Sequence, residues 1–403
     1  MPVLLWLALP IVVLVVALLV VVALTRHGVG RTSGLALATA ASSGTTSAAA
    51  AAISAPVATS TTNAVLAVTG TVLTVTPVAV PTATVTAASA SATPVSGSAV
   101  GSGSITTSAG AAAPLTIATT MTVGQSLCDL AVDDAGQHVY VTDGGPDQLL
   151  VLDPATRQQV GRFDLVDSLC SIALDQQSQT VYAPTWHRTG PNSYDSSRMQ
   201  VVNLTTGAIQ TFADSQFPTG PFFDQRKRVL YVGNTATPSL FTIDAATGTT
   251  HTITLPVKVN RVAVSSQNGD LYLASPEGDK VLVLDPTAGS VVTTLSVGQR
   301  PWAVAADPKT GRILVSSELS GGVSLIDPAT NQIIRTTATG SHPRNLAVDG
   351  VHERFYVLNT GDRTVSVLDA DGRLLSTSAP LPGAEDLSGI AVASQTGQVF
   401  VVS

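Results

Sequence analysis

The sequence predicts an all-β fold, a seven-bladed β-propeller, from three observations on its last 290 or so residues. A β-hairpin pattern recurs seven times, each copy holds four short apolar runs, and the copies keep a nearly constant period. We mark each copy by an anchor, the residue six positions before the first apolar position of its Tyr-Val-type strand. The anchors are Asp133, Asp175, Asp224, Ser265, Asp307, Asp349 and Ala393, and they are spaced by 42, 49, 41, 42, 42 and 44 residues. This period with four strands per copy is typical of propeller blades.

The sixth copy shows the predicted order of strands. Leu346–Asp349 is the innermost strand, followed outward by Phe355–Asn359, Thr364–Asp369 and Leu374–Ser378. We expect Asp369 and its equivalents to cap the turn after the third strand, because a short carboxylate bonds its own backbone.

The seventh copy contains only two strands, so an N-terminal strand is predicted to close the ring. Leu115–Val123 aligns with the fourth strand of the fifth copy, Asn331–Thr339. Added to the last blade, it would remove an open sheet edge. A third strand from Ile105–Ala109 is a poorer match.

The first 112 residues precede the propeller, which we place at 113–403. Residues 2–24 are apolar and long enough to span a bilayer, which predicts a single-pass transmembrane helix or signal anchor within 1–25. A cleaved signal peptide, giving a secreted protein, is the alternative. Residues 26–112 are rich in Ala, Ser, Thr and Pro and predict a disordered linker, although Ala64–Thr74 alternates as a local strand would.

Composition places the propeller outside the cytoplasm and away from nucleic acid. All 27 acidic residues and 18 of the 20 Lys and Arg follow position 112, so this region carries 18 − 27 = −9. Proteins bind nucleic acid mainly by neutralising its backbone phosphates with basic side chains. This region has no basic cluster, so nucleic-acid binding is not expected. We expect a propeller on the extracytoplasmic side of the cell membrane, a monomer, with no cofactor.

The candidate ligand site lies on the face formed by the loops from fourth to first strand and from second to third, here called the top face. The second copy has an insertion there, and long loops on a rigid scaffold often carry function. A bound anionic or sugar ligand is one interpretation, and a channel plugged by Trp302 is the other. The candidate residues are Trp186, His187, Arg188, Tyr194, Arg198, Arg261, Arg300, Trp302, His342, Arg344, Glu385 and Asp386.

The residues five positions before each anchor should form a ring around the axis: Cys128, Cys170, Thr219, Asn260, Trp302, Arg344 and Ser388. Because equivalent positions in neighbouring blades face one another, Cys128 and Cys170 are a candidate disulfide. Two free buried thiols are the alternative.

Enzyme and metal motifs are not found in the sequence. It contains no GxSxG elbow, HExxH helix, P-loop or paired-cysteine zinc pattern. No catalytic residue and no metal ligand is therefore predicted.

Three segments resemble the YVTN β-propeller repeat family: VGQRPWAVAADPKTGRILVSS from Val297, TGSHPRNLAVDGVHERFYVLN from Thr339 and NTGDRTVSVLDADG from Asn359. The resemblance covers about residues 115–403. It implies a surface-layer-like or periplasmic propeller, and similar rings include sugar lactonases. It implies the scaffold and leaves the site chemistry open.

We therefore expect a membrane-tethered scaffold that binds a protein, a small molecule or a carbohydrate. A lactonase- or hydrolase-like enzyme using the top-face channel and a structural cell-surface component are the alternatives.

Overall fold

The computed structural model describes residues 62–68, 71–78, 115–190, 193–213, 218–383 and 386–403. No helix within these ranges is long and apolar enough to cross a membrane. The predicted transmembrane segment, residues 2–24, lies outside them.

The described strands form an all-β propeller, as predicted. Three strands precede the repeats: β1 (Thr62–Val68), β2 (Thr71–Val78) and β3 (Thr116–Thr122). Six blades then follow from consecutive segments of the chain, and their innermost strands contact one another in order around an axis.

The blades are antiparallel meanders with these strand bounds. Blade one has β4 (Leu127–Val132), β5 (Val139–Asp143), β6 (Gln148–Asp153) and β7 (Gln158–Asp164). Blade two has β8 (Ser168–Leu169), β9 (Ala173–Asp175), β10 (Thr180–Gly190), β11 (Ser193–Asn203) and β12 (Ile209–Ala213). Blade three has β13 (Pro218–Asp224), β14 (Val229–Asn234), β15 (Ser239–Asp244) and β16 (Thr250–Thr254).

The next three blades are the most regular. Blade four has β17 (Arg261–Val264), β18 (Leu271–Ser275), β19 (Lys280–Asp285) and β20 (Ser290–Ser296). Blade five has β21 (Pro301–Ala306), β22 (Ile313–Ser317), a 3₁₀ helix (Glu318–Ser320), β23 (Gly322–Asp327) and β24 (Gln332–Ala338). Blade six has β25 (Pro343–Asp349), β26 (Arg354–Asn359), β27 (Thr364–Asp369) and β28 (Leu374–Thr377).

The seventh copy forms a composite sheet, here called the closing sheet. It contributes β29 (Gly389–Ala393) and β30 (Gln398–Val402), and β2 pairs along the free edge of β30, with Leu73 opposite Val401. On its other side β2 pairs with β1, while β3 meets only the two ends of β2.

The prediction of a seven-bladed propeller is therefore corrected: six blades form from consecutive chain, and one closing sheet is assembled from distant segments. The N-terminal segment Leu115–Val123 does join this sheet as β3, but β2 is the strand bonded to β30. β1 and β2 lie within the stretch expected to be a linker, residues 26–112, and overlap Ala64–Thr74, the alternative local strand. An unpaired edge of β30 would expose a row of backbone groups, which explains why a strand is recruited there. Ile105–Ala109 lies outside the described residues.

The core consists of apolar layers between adjacent blades. Leu314 and Leu325 of blade five pack on Phe355 and Leu368 of blade six. The same kind of layer joins Phe400 of the closing sheet to Leu130 of blade one. The third strands are buried on both faces, whereas the fourth strands alternate because one face meets solvent.

The predicted turn caps are present. The Asp285 carboxylate accepts hydrogen bonds from the amides of Thr287 and Ala288, at 2.7 and 3.1 Å. These amide bonds hold the pKa of Asp285 below its usual value. Such aspartates are thereby assigned to turn geometry.

Candidate functional site

A cavity of about 600 Å³ opens at the top of the axis and is here called the mouth cavity. All seven residues of the predicted ring line it. Two ring residues, Trp302 and Arg344, are also candidate ligand-site residues. Four further candidates line the cavity from the top loops of several blades: Trp186, Arg261, His342 and Asp386. The repeat register therefore brings together side chains that are far apart in sequence.

Hydrogen bonds between neighbouring blades fix the wall of the mouth cavity. Thr219 donates to the Asn260 side-chain oxygen at 3.2 Å, and the Asn260 amide donates to the Trp302 carbonyl at 3.4 Å. Asn345 bonds the Ser388 carbonyl, and the Ser388 hydroxyl donates to the Leu127 carbonyl at 3.0 Å. The polar ring residues thus hold the blades together as well as lining the opening.

Trp302 is the largest ring residue and is flanked by two arginines. The guanidinium carbon of Arg344 lies 4.6 Å from the centre of the indole, and that of Arg300 lies 5.5 Å from it. Both distances are in the range of cation–π contacts. The indole is half-buried, so part of it remains open to the cavity.

Glu318 is the shared carboxylate partner of these two arginines. Its carboxylate is only 2% exposed, at the start of the 3₁₀ helix that follows β22. One oxygen, Oε1, lies 2.7 Å from Arg344 Nη2 and accepts a hydrogen bond from Nε at 2.8 Å. The other, Oε2, lies 3.1 Å from Arg300 Nε, at an angle too poor for a hydrogen bond.

A second ion pair joins opposite sides of the ring. Arg261 of blade four reaches across the axis to Asp129 of blade one, with Nη1 to Oδ2 at 3.6 Å. Burial raises the pKa of the Asp129 carboxyl, and the charge of Arg261 opposes this effect. Arg261 also lines the mouth cavity, so this pair belongs to its wall.

The insertion of blade two forms an extension of the β10–β11 hairpin. Trp186 is on its inner side and lines the mouth cavity. His187 and Arg198 turn instead to Asp167, at 2.5 Å from Nδ1 to Oδ1 and 3.8 Å from Nη1 to Oδ2. These two candidates are therefore separated from the ring.

The remaining candidates divide in two groups. Arg300 lines a neighbouring cavity of about 300 Å³ above blade four, here called the outer cavity, together with Trp302 and Asn260. The side chains of Arg188 and Tyr194, and residue Glu385, lie outside the described part of the chain.

Sequence reasoning missed Asp129 and Glu318 as members of the site. Asp129 directly follows ring residue Cys128, and Glu318 occupies the second-to-third strand loop of the fifth copy, which maps to the top face. The alignment of the repeat copies could have placed both residues on the top face. The pairing of each with an arginine of another blade, however, depends on the closed ring.

Cys128 and Cys170 lie side by side on the rim of the mouth cavity. Their Cα atoms are 4.8 Å apart and the structure joins their sulfurs. This separation lies within the range that disulfides occupy.

The described residues include no group of three His, Cys, Asp or Glu side chains placed to hold a metal ion. The lower part of the channel is a further cavity of about 540 Å³, lined largely by apolar inner-strand residues such as Leu130, Ile172 and Leu346. The channel thus changes from polar at the top to mainly apolar below.

Comparison with known proteins supports the fold. No family model matches the chain, and no curated protein matches it. A solved structure, Kuenenia stuttgartiensis hydrazine synthase, is similar with a TM-score of 0.57, over 68% of this chain and 92% of that chain. The two are 13% identical, so the likeness concerns the propeller fold alone.

Proposed function

We propose that this chain is a membrane-tethered, extracytoplasmic binding protein that takes a neutral, polar ligand of the carbohydrate class in its mouth cavity. The observation that carries the proposal is the convergence of Trp186 and Trp302 on one cavity whose charges are already paired. Aromatic faces stack on the C–H faces of sugars, and the hydroxyls of the ligand meet polar ring side chains.

The charge balance favours a neutral ligand over an anion. Arg300 and Arg344 share Glu318, and Arg261 faces Asp129. Asp386 adds a further carboxylate to the lining of the mouth cavity. An anion would have to compete with buried carboxylates for these cations, and the net charge of the propeller region would repel it.

The size of the opening fits a small molecule. A volume of about 600 Å³ falls within the roughly 300–1,000 Å³ range of ligand pockets. The ring hydrogen bonds make this a preformed site, which lowers the ordering cost of binding.

The proposed location rests on residues 2–24 and on the cysteines. An apolar segment of this length would tether the chain, and a joined Cys128–Cys170 pair is expected in an oxidising compartment. Membership of the YVTN-type repeat family is part of the same proposal and rests on the repeat segments.

The test is calorimetric titration of the 403-residue chain with a panel of neutral mono- and disaccharides, alongside sulfated and carboxylated analogues. We expect binding of at least one neutral sugar, with affinity insensitive to salt. Trp302→Ala should weaken it about tenfold or more, and Trp302→Phe should retain part of it because an aromatic face remains. His251→Ala, on the outer strand of blade three, is the control and should change nothing.

Absence of binding to every neutral sugar, or a preference for the anionic analogues that grows at low salt, would overturn the proposal. Chromatographic analysis of the same mixtures addresses the other functional classes. Release of a hydrolysis product would favour the lactonase- or hydrolase-like alternative, and ordered lattices of the purified chain would favour a structural role.

A further inference from the structure

The mouth cavity and the outer cavity share a wall, and Trp302 and Asn260 line both of them. From this we infer that the ligand has two linked parts: a sugar unit in the mouth cavity and an apolar, aryl-type substituent in the outer cavity. The natural class is therefore an aryl glycoside. This inference rests on the proposed function and specifies its ligand further.

The shared wall is a fixed ridge. Arg344 lines the mouth cavity and Arg300 lines the outer cavity, and each lies against the indole of Trp302. The buried Glu318 carboxylate holds both guanidiniums, so one acid fixes the arginine on either side. A ligand that fills both cavities must cross the edge of Trp302.

The two cavities differ in chemistry. Polar ring residues surround the mouth cavity, whereas the outer cavity is bounded by Val259, Pro276 and the indole. Of the charged side chains there, Lys258 and Glu277 pair with each other at 3.4 Å, and Arg300 pairs with Glu318. An apolar group placed against these surfaces leaves water without stripping a charge of its partner.

The outer cavity, at about 300 Å³, lies at the lower limit of ligand-pocket volumes. This suits one substituent rather than a second independent ligand. Asn260 and Trp302 line both cavities, so a group bound in the mouth cavity lies next to a group bound in the outer cavity. A single linked molecule requires this.

The experiment compares methyl and phenyl glycosides of glucose, galactose and mannose by calorimetry on the 403-residue chain. For the sugar that binds, the phenyl glycoside should bind about tenfold more tightly than the methyl glycoside, since it buries an aromatic ring. Pro276→Glu places a charge in the outer cavity and should abolish this advantage while leaving the methyl glycoside affinity unchanged.

The matched control is Pro286→Glu, the same change in an exposed turn at the opposite end of blade four. It should preserve the phenyl advantage, and equal unfolding midpoints would show that both variants fold. Equal affinities for the methyl and phenyl glycosides, or a phenyl advantage that survives Pro276→Glu, overturns the two-part ligand and leaves the sugar site intact. Failure of every glycoside to bind overturns both proposals.

Discussion

Glu318 shows how one buried side chain sets the chemistry of the opening. It is the common partner of Arg300 and Arg344, which flank Trp302. Without its charge, two guanidiniums would face the ligand with no carboxylate between them. The mouth cavity would then favour anions.

We expect Glu318→Gln to destabilise the protein and to change its ligand preference. The loss should be about 1–2 kcal/mol, because the hydrogen bonds are charge-assisted but the arginines are partly exposed. Urea unfolding measures the stability, and titration with sulfated sugars should now give tighter binding than in the wild type. The control Glu353→Gln removes a solvent-accessible ion pair with Lys309 and should leave the unfolding midpoint and ligand preference unchanged. A Glu318→Gln variant with wild-type stability and neutral preference would contradict this role.

Asp129 gives a pH dependence whose sign can be worked out. Burial raises its pKa in the folded protein above the ordinary value of 3.8, so the folded state binds the proton more tightly than the unfolded chain. At a pH between the two pKa values, Asp129 is deprotonated in the unfolded chain but still protonated in the folded protein. The free energy of unfolding therefore falls as the pH rises through this window.

The free energy of unfolding of the wild type relative to Asp129→Asn should therefore fall as the pH rises from about 4 through the raised pKa of Asp129. Asp244 is the control of opposite sign. The amide and hydroxyl of Thr247 lower its pKa, so the stability of the wild type relative to Asp244→Asn should drop as pH falls through that lowered value. Denaturant titrations across this range measure both. A relative stability that rises with pH at position 129 would mean that the attraction of Arg261 outweighs burial.

At the scale of elements, two contacts join segments that are distant along the chain. One is the Cys128–Cys170 pair, which links blade one to the interrupted inner strand of blade two across 42 residues. The other is the pairing of β2 with β30, which completes the closing sheet.

We expect the Cys128→Ala/Cys170→Ala double variant to be less stable than the oxidised wild type by about 2–4 kcal/mol, because the bond restricts the unfolded chain. Urea unfolding with and without reductant measures the difference, and only the wild type should respond to reductant. Mass spectrometry of non-reduced peptides provides the direct check. Detection of free thiols alone would contradict a disulfide at this site.

Leu73→Pro should disrupt the closing sheet, since proline in a central strand removes a ladder hydrogen bond and clashes with the neighbouring strand. The expected result is faster hydrogen exchange in Gln398–Val402, measured by mass spectrometry. Val95→Pro, in the stretch expected to be a linker, is the control and should leave this exchange unchanged. Unaltered protection of β30 in the Leu73 variant would argue against its pairing with β2.

At the scale of the whole molecule, the repeat made most of the fold predictable. Fixed spacing placed Trp302 and Arg344 in one ring with Cys128, although they are distant in sequence, and the cavity now unites them. The closing sheet was less predictable because β2 belongs to no repeat and is separated from β3 by a low-complexity stretch. The site was predictable in position only, since the pairing of Asp129 and Glu318 with arginines arises from contacts between different blades.

The top of the closed ring carries the mouth cavity, which we propose as a preformed carbohydrate site. A structure of the 403-residue chain bound to its tightest neutral carbohydrate tests this claim most directly. We predict a sugar ring stacked on Trp302 inside the mouth cavity, with hydroxyls bonded to ring residues such as Asn260. Binding in the lower channel or on the outer edges of the blades, with Trp302 uncontacted, would contradict the account.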